Sequence, residues 1–138
     1  MGVFGKSDII YSTISGPEMT DIVREMGFVP ELTTDSGGDP LIKLQIEGLR
    51  CQIVFYGCKD GRASSIQFIA WFAGAVPLEK MNEWNRRKRF GKAYLDSDGD
   101  PCINLDVDLD GGVRREYLQE IMKRWRSVFA GFVSFLRD

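Results

Sequence analysis

Three aspartates at alternate positions have the residue types and spacing most suggestive of chemistry. Asp106, Asp108 and Asp110 precede Gly111 in the pattern D-x-D-x-D-G, which matches the first half of a calcium-binding loop. In such a loop the alternate carboxylates converge on the ion, and the glycine permits the sharp bend. The second half does not match, because Tyr117 occupies the position of the bidentate acid and the preceding segment predicts a strand. We therefore expect no metal site, and whether these aspartates ever bind a cation stays open.

The alternative interpretation of this segment is structural. In a strand, Asp106 and Asp108 lie on one solvated face, while the leucines and the valine between them point to the core. Asp110 is then placed to cap the N-terminus of the last helix. The related pattern D-x-D-G-D at residues 96–100 departs earlier from a calcium loop, since Pro101 stands where glycine is required.

The other reactive side chains argue against an enzyme. The chain has no histidine, so no imidazole can transfer protons near neutral pH or complete a zinc site. Its three cysteines, Cys51, Cys58 and Cys102, form no C-x-x-C motif and are expected to be buried, reduced thiols. Two solvated carboxylates without an apolar pocket to raise either pKa are poor acid–base catalysts. The sequence therefore predicts no catalytic residue and no cofactor.

The segment L-E-K-M-N-E-W-N-R-R-K-R-F predicts a helix with polar residues on its inward face. At ~100° per residue, one face of the helix carries both apolar and polar side chains, namely Leu78, Met81, Asn82, Asn85 and Arg89. Because buried amides need hydrogen-bond partners, Asn82 and Asn85 are expected to hold backbone groups of neighbouring strands. Arg89 needs a carboxylate, and Asp106 is the expected partner. These side chains are predicted to be tethers within the fold, with ligand contact as the lesser interpretation.

The same segment is basic. Residues 78–92 carry six basic and two acidic side chains. Residues 94–112, which follow closely, carry six aspartates. Trp84 and Phe90 interleave with the run from Arg86 to Lys92, an arrangement that can bind phosphate or stack on RNA bases. A nucleic-acid-associated regulator is therefore the alternative function, although a short basic run flanked by acids is more often a solvated face.

Composition predicts one soluble domain. With 138 residues and 43% hydrophobic side chains, the chain is long enough for one core. We expect a single domain over residues 1–138, in which residues 1–15 form a partly flexible N-terminal extension. A net charge of −2 gives no general reason to expect nucleic acid or an anionic membrane as partner. No secretory leader and no run of ~18 apolar residues is present, so a cytoplasmic location without membrane contact is expected.

Hydrophobic patterning predicts an α+β fold in the order α-β-β-β-β-α-β-β-α, with helices packed against an antiparallel sheet of about five to six strands. Pro17 behind Ser15 starts the first helix, Pro77 the second, and residues 110–112 the third. Pro30 places the first strand at a sheet edge, where no ladder donor is missed. The strands are expected at residues 28–33, 41–47, 51–56, 65–73, 92–95 and 102–109.

An internal similarity accompanies this pattern. D-S-G-G-D-P-L-I-K-L at residues 35–44 matches D-S-D-G-D-P-C-I-N-L at residues 96–105 in seven of ten positions, at a spacing of 61 residues. Each copy follows a helix that starts near a proline and then a strand, which favours a repeated helix, strand, turn, strand unit. Shared turn chemistry without a repeat is the alternative, since aspartate and serine bond their own backbone and glycine supplies positive φ.

Two motifs carry a resemblance to a known family. They are N-E-W-N-R-R-K-R-F-G-K-A-Y-L-D at residues 82–96, followed by D-G-D-P, and D-V-D-L-D-G-G at residues 106–112. On these motifs the chain resembles the YbjN family, termed putative bacterial sensory transduction regulators. The resemblance implies a fold like that of class I type III secretion chaperones, and it implies no catalytic residue and no cofactor. The positions expected to serve structure or interaction are Asn82, Trp84, Asn85, Arg89, Tyr94, Asp106, Gly111 and Gly112.

The expected function is therefore non-enzymatic binding. The chain is predicted to be a bacterial protein-binding, chaperone-like or regulatory adaptor, whose partner is another protein or a second copy in a homodimer. Trp71, Phe72 and Trp125 exceed what a small core requires, so they are expected to contribute to an exposed apolar patch. Nucleic acid is the less favoured partner, and no membrane is expected.

Overall fold

The computed structural model describes residue 5 and residues 8–138, which form an α+β fold. The helices are α1 (Gly16–Glu25), α2 (Leu78–Arg87) and α3 (Arg115–Arg137). Six strands form the main sheet: β3 (Glu31–Thr34), β4 (Pro40–Ile46), β5 (Leu49–Tyr56), β7 (Ser65–Trp71), β8 (Lys92–Leu95) and β9 (Pro101–Asp108). Four two-residue strands complete the list: β1 (Ile10–Tyr11), β2 (Ile14–Ser15), β6 (Arg62–Ala63) and β10 (Val113–Arg114).

The strands of the main sheet lie in the order β3-β4-β5-β7-β9-β8, and all neighbours are antiparallel. The predicted class and the order of the three helices and six main strands are confirmed. β3 is an edge strand as expected, but it begins after Pro30 because proline cannot donate to the ladder. The short strands, which the sequence pattern did not predict, pair β1 with β10 and β2 with β6.

The start of α1 follows from a capping box. The Ser15 side chain accepts a hydrogen bond from the Glu18 amide at 3.2 Å, and the Glu18 carboxylate accepts one from the Ser15 amide at 2.9 Å. Pro17 fills the first turn, where its missing N–H has no partner to lose. The predicted start of this helix is therefore confirmed.

The start of α3 differs from the prediction. Residues 110–112 do not begin the helix, and Asp110 does not cap it; the N-cap is Arg114. Gly111 and Gly112 have φ values of +90° and +89°, and a Cβ on Gly112 would lie 2.6 Å from Ile10 Cγ2. The glycine pair thus lets the chain turn into β10 against β1 before the helix starts.

All three helices lie on one face of the main sheet, and the core lies between them. α1 and α2 both contact α3, through the Arg115–Glu25 ion pair and the Trp84–Phe132 ring contact. Trp125 is fully buried, lies 5.6 Å from the Phe68 ring and donates to Cys51 Sγ. The expectation that Trp125 contributes to a surface patch is wrong, because the indole fills the centre of this core.

The elements of the two similar segments correspond in the structure, as both a repeat and shared turn chemistry would predict. β3 and β8 start 61 residues apart, as do β4 and β9, and β3 and β8 form the two edges of the sheet. The Asp35 carboxylate accepts the amides of Gly37 and Asp39 at 2.9 and 3.0 Å. The Asp96 carboxylate accepts the corresponding amides of Asp98 and Asp100, both at 2.9 Å. Both aspartate turns are therefore structural, as expected.

The N-terminal segment is described only in part. Residues 1–4, 6 and 7 of the expected flexible extension lie outside the described residues. Tyr11 and Ile14 are buried, and the Tyr11 hydroxyl accepts a 2.8 Å hydrogen bond from Arg115. In the part of the chain described, none of the helices has the length and apolarity to cross a bilayer.

Candidate functional site

The face of the sheet opposite the helices carries no covering element among the described residues. Alternation along each strand sends one set of side chains to the helices and the other to this face, which we call the uncovered face. β4 shows the division clearly, because Ile42 and Leu44 are buried while Lys43 and Gln45 are exposed. The principal side chains of the uncovered face are Lys43, Gln52, Val54, Tyr56, Gln67, Ile69, Trp71, Tyr94, Asn104 and Asp106.

One half of the uncovered face is aromatic and apolar. Trp71, Cys102 and Tyr94 form a row across three strands, since Trp71 and Tyr94 are both registered against Cys102. Trp71 is 48% exposed although it is a tryptophan within a regular strand. Ile69, two residues before Trp71, extends the row and is partly exposed. Aromatic side chains held this way are typical of protein-binding surfaces.

The other half of the uncovered face is polar and acidic. Gln67 donates from Nε2 to Asp106 Oδ1 at 2.8 Å, and the Tyr56 hydroxyl lies 3.5 Å from Gln67 Oε1. Asp106 and Asp108 are exposed on one side of β9, as predicted. The predicted pairing of Asp106 with Arg89 is wrong. Asp106 faces away from the helices, whereas Arg89 follows α2 on the covered side.

The structure does not gather the aspartates of the D-x-D-x-D-G pattern into a cation site. Asp108 accepts the Asp110 amide at 2.9 Å and so stabilises the turn that follows β9. The described carboxylates that do lie together, within 4.8 Å, are those of Asp96, Asp98 and Asp100. Asp96 Oδ1 already accepts two backbone amides there, so the arrangement is explained by the turn.

The motif residues of α2 hold the edge strand β8. Asn85 Nδ2 donates to the Ala93 carbonyl and Asn85 Oδ1 accepts the Ala93 amide, both at 2.9 Å. Trp84 Nε1 donates to the Gly91 carbonyl at 3.1 Å. The predicted tether by Asn85 is confirmed, although the residue is largely exposed.

The expected inward stripe of α2 is confirmed at Met81 and wrong at Leu78 and Asn82. The buried residues of this helix are Met81 and Trp84, whereas Leu78 is 65% exposed. Asn82 is exposed and makes no side-chain hydrogen bond within the described part of the chain. The bulk of the Trp84 indole, which packs on Phe132 at 5.2 Å, sets the rotation of the helix.

The basic run from Arg86 to Lys92 is divided over different surfaces. Arg86 and Arg87 both pair with Glu83, the latter at 2.7 Å. Arg89 lies over the Phe90 ring at 5.4 Å, and Lys92 lies over Tyr94 on the uncovered face. Lys92 therefore lies apart from Arg89, on the other side of the sheet, and nucleic-acid binding by the run stays a prediction.

Burial affects two ionisable groups of the aromatic row, the Tyr94 hydroxyl and the Cys102 thiol. Tyr94 donates to Asn104 Oδ1 at 3.3 Å, and Asn104 is only 4% exposed. Burial raises the pKa of the Tyr94 hydroxyl. Burial, followed by the nearby Asp96 charge, raises the pKa of the Cys102 thiol. Both groups stay protonated near neutral pH, so the row presents a neutral surface.

The sequence pattern identified some of this surface and missed the rest. Trp71, Tyr94 and Asp106 were expected to matter, and the structure places all three on the uncovered face. Tyr56 and Gln67 were missed. Their signal is the strict alternation in β5 and β7, which assigns both residues to the face opposite the core.

Comparison with known proteins gives one match. The profile of a family named YbjN and described as "Putative bacterial sensory transduction regulator" matches residues 18–138. No curated protein and no solved structure matches the chain.

Proposed function

The chain belongs to the YbjN family, described as putative bacterial sensory transduction regulators, and we propose that it acts as a non-enzymatic, protein-binding adaptor through the uncovered face of its sheet. The family supports a regulatory role in bacteria. The observation that carries the proposal is the row of half-exposed Trp71 and partly buried Tyr94 on a sheet with helices on one side only. Half-exposed tryptophan offers a large contact area at little cost in side-chain entropy.

Two finer forms of this proposal concern the partner. In a chaperone-like form, resembling class I type III secretion chaperones, the apolar half of the face holds a segment of another polypeptide. In a homodimeric form, the same face meets its copy. The polar half, with the Gln67–Asp106 hydrogen bond, supports specificity in either form because a partner must match it.

The chemistry of the described side chains supports binding over catalysis. The chain has no histidine. Burial raises the pKa of the Cys51 thiol to about 11, so it is no nucleophile at neutral pH. Asp106 and Asp108 are solvent-exposed on a strand, a setting unlike the apolar sites of carboxylate acid–base catalysts.

Affinity capture with face variants tests the proposal. A double variant, Trp71→Ala with Tyr56→Ala, removes two exposed rings from the uncovered face. Tyr117→Ala is the matched control, because Tyr117 is an aromatic side chain on α3 that is 44% exposed. Proteins captured from bacterial extract by the wild-type and control chains should be lost with the double variant. Equal capture by all three, at equal melting temperature, would refute a role for this face.

A further inference from the structure

The two edges of the main sheet are equivalent in the repeat but differ in how their backbone groups are bonded. Leu32 in β3 and Ala93 in β8 lie 61 residues apart, and each is registered against an isoleucine of the inner strand. In an antiparallel ladder, every second residue of an edge strand directs its N–H and C=O groups away from its neighbour. The bonds from Asn85 show that Ala93 is such a residue.

The β8 edge is capped from within the chain. The Asn85 side-chain amide donates to the Ala93 carbonyl and accepts from the Ala93 N–H, so it bonds both outward groups of Ala93 as the backbone of a further strand would. Trp84 Nε1 donates a hydrogen bond to the carbonyl of Gly91, which lies two residues before Ala93. The outward groups of Ala93 and the Gly91 carbonyl are therefore occupied and cannot pair with another chain, a common protection of edge strands.

The β3 edge has no such cap. The Asp35 amide donates to the Asp39 carbonyl at 2.8 Å, so the alternation makes Leu32 and Thr34 the outward residues of β3. The residue of α1 equivalent to Asn85 is Arg24, whose guanidinium lies 3.8 Å from Asp21. No described side chain or backbone group bonds the outward groups of Leu32 or Thr34.

The side chains around the β3 edge define the chemistry of a matching strand. Leu32 is 40% exposed on the helix side, where it covers Gly16, and offers an apolar contact. Glu31 and Asp35 lie on the other side of the strand, at positions where cross-strand side chains approach most closely. A second copy paired antiparallel through Leu32 and Thr34 would set Glu31 against the other copy's Asp35, which like charges disfavour.

We propose that β3 receives an extended segment of a partner protein, in which basic residues alternate with apolar ones, as an added strand. The segment would form about four backbone hydrogen bonds with Leu32 and Thr34 and would face Glu31 with a lysine or arginine. This inference rests on the proposed protein-binding function and adds a second contact site to it. A cleft of about 1070 Å³ that Glu31, Lys43 and Trp71 help to line connects this edge to the aromatic row.

A synthetic peptide tests the edge directly. The probe is an acetylated, amidated hexapeptide of alternating lysine and valine, titrated against isotope-labelled full-length protein and followed by amide NMR shifts. Saturable shifts centred on Leu32 and Thr34 are expected. Leu32→Pro removes an outward amide without touching the ladder, so it should weaken binding by at least about tenfold, whereas Thr34→Val keeps its amide and should change it by less than about threefold.

A charge reversal keeps the test independent of proline effects on folding. Glu31→Lys should weaken binding of the lysine–valine peptide and strengthen binding of a glutamate–valine peptide of the same length. Shifts centred elsewhere, equal binding by Leu32→Pro and wild type, or no saturation by about 1 mM peptide would overturn the proposal. If the wild-type protein dimerises and Leu32→Pro abolishes the dimer, the occupant of β3 is a second copy of the chain, and the proposal of a basic segment is wrong.

The two proposals fail separately in these experiments. If the peptide does not bind but capture from extract still depends on the uncovered face, the proposal of a binding site at β3 is refuted and the adaptor proposal stands. Peptide binding at β3 without any face-dependent capture would remove the adaptor role of the uncovered face.

Discussion

The side-chain amide of Asn85 and the backbone of Ala93 form a reciprocal pair of hydrogen bonds, both at 2.9 Å. A side chain here takes the place of a neighbouring strand, because it offers one donor and one acceptor at the spacing of a peptide group. α2 is thereby fixed to the sheet at the edge it would otherwise leave open.

The first prediction concerns this pair. Asn85→Ala should lower the free energy of unfolding by about 1–2 kcal/mol, since two backbone groups of Ala93 lose their partners. Asn82→Ala is the matched control on the same helix, and with no side-chain hydrogen bond to lose it should change stability by less than about 0.5 kcal/mol. Urea denaturation measures both. Equal losses would show that the Asn85–Ala93 bonds do not stabilise the fold.

The second prediction separates two tryptophans that look alike in the sequence. Trp125→Ala should cost about 3–5 kcal/mol, because a fully buried indole leaves a cavity in the core. Trp71→Ala should cost less than about 1 kcal/mol, since its side chain is about half exposed. Thermal and chemical unfolding of the two variants provides the comparison. A Trp71 variant as unstable as the Trp125 variant would argue against a surface role for Trp71.

The third prediction concerns pH. Burial raises the pKa of Cys51 from 9.0 to about 11, so the folded state holds this proton more tightly than the unfolded state does. The resulting stabilisation is complete below pH 9 and is lost as the pH rises towards 11. Between these values the free energy of unfolding should fall more steeply in the wild type than in Cys51→Ala, by up to about 1.4 kcal/mol per pH unit. Parallel curves for the two proteins would contradict the shift.

The fourth prediction uses two adjacent glycines with nearly equal φ values. Gly111→Ala meets nothing within 4 Å and should cost only the strain of positive φ, about 1 kcal/mol. Gly112→Ala adds a contact of 2.6 Å with Ile10 Cγ2 and should cost at least about 1 kcal/mol more. Equal melting temperatures for the two variants would show that the β1–β10 contact can shift without loss.

Much of the fold could be predicted because strand alternation and turn residues act locally. The edge position of β3 followed from Pro30, and the two aspartate turns followed from their own side chains. The aromatic row was found only in part, because register across strands decides that Trp71 and Tyr94 meet at Cys102. No spacing along the chain encodes that register.

The errors in the candidate site have two physical causes. The Arg89–Asp106 pairing assumed that opposite charges close in sequence meet in space. A strand sends Asp106 to the side of the sheet away from α2, so the sheet itself separates them. The rotation of α2 likewise depends on where the Trp84 indole finds room against Phe132, which a polar–apolar count cannot show.

The Asn85 cap also sets a limit on assembly. Endless edge-to-edge growth of sheets from identical copies requires two open edges on every copy, one to receive and one to donate. Among the described residues, the outward groups of Leu32 and Thr34 are free of such bonds, whereas those of Ala93 on the opposite edge are bonded by Asn85. A strand added at β3 would therefore meet bonded backbone groups at Ala93 on the far edge, which disfavours edge-to-edge growth through that residue.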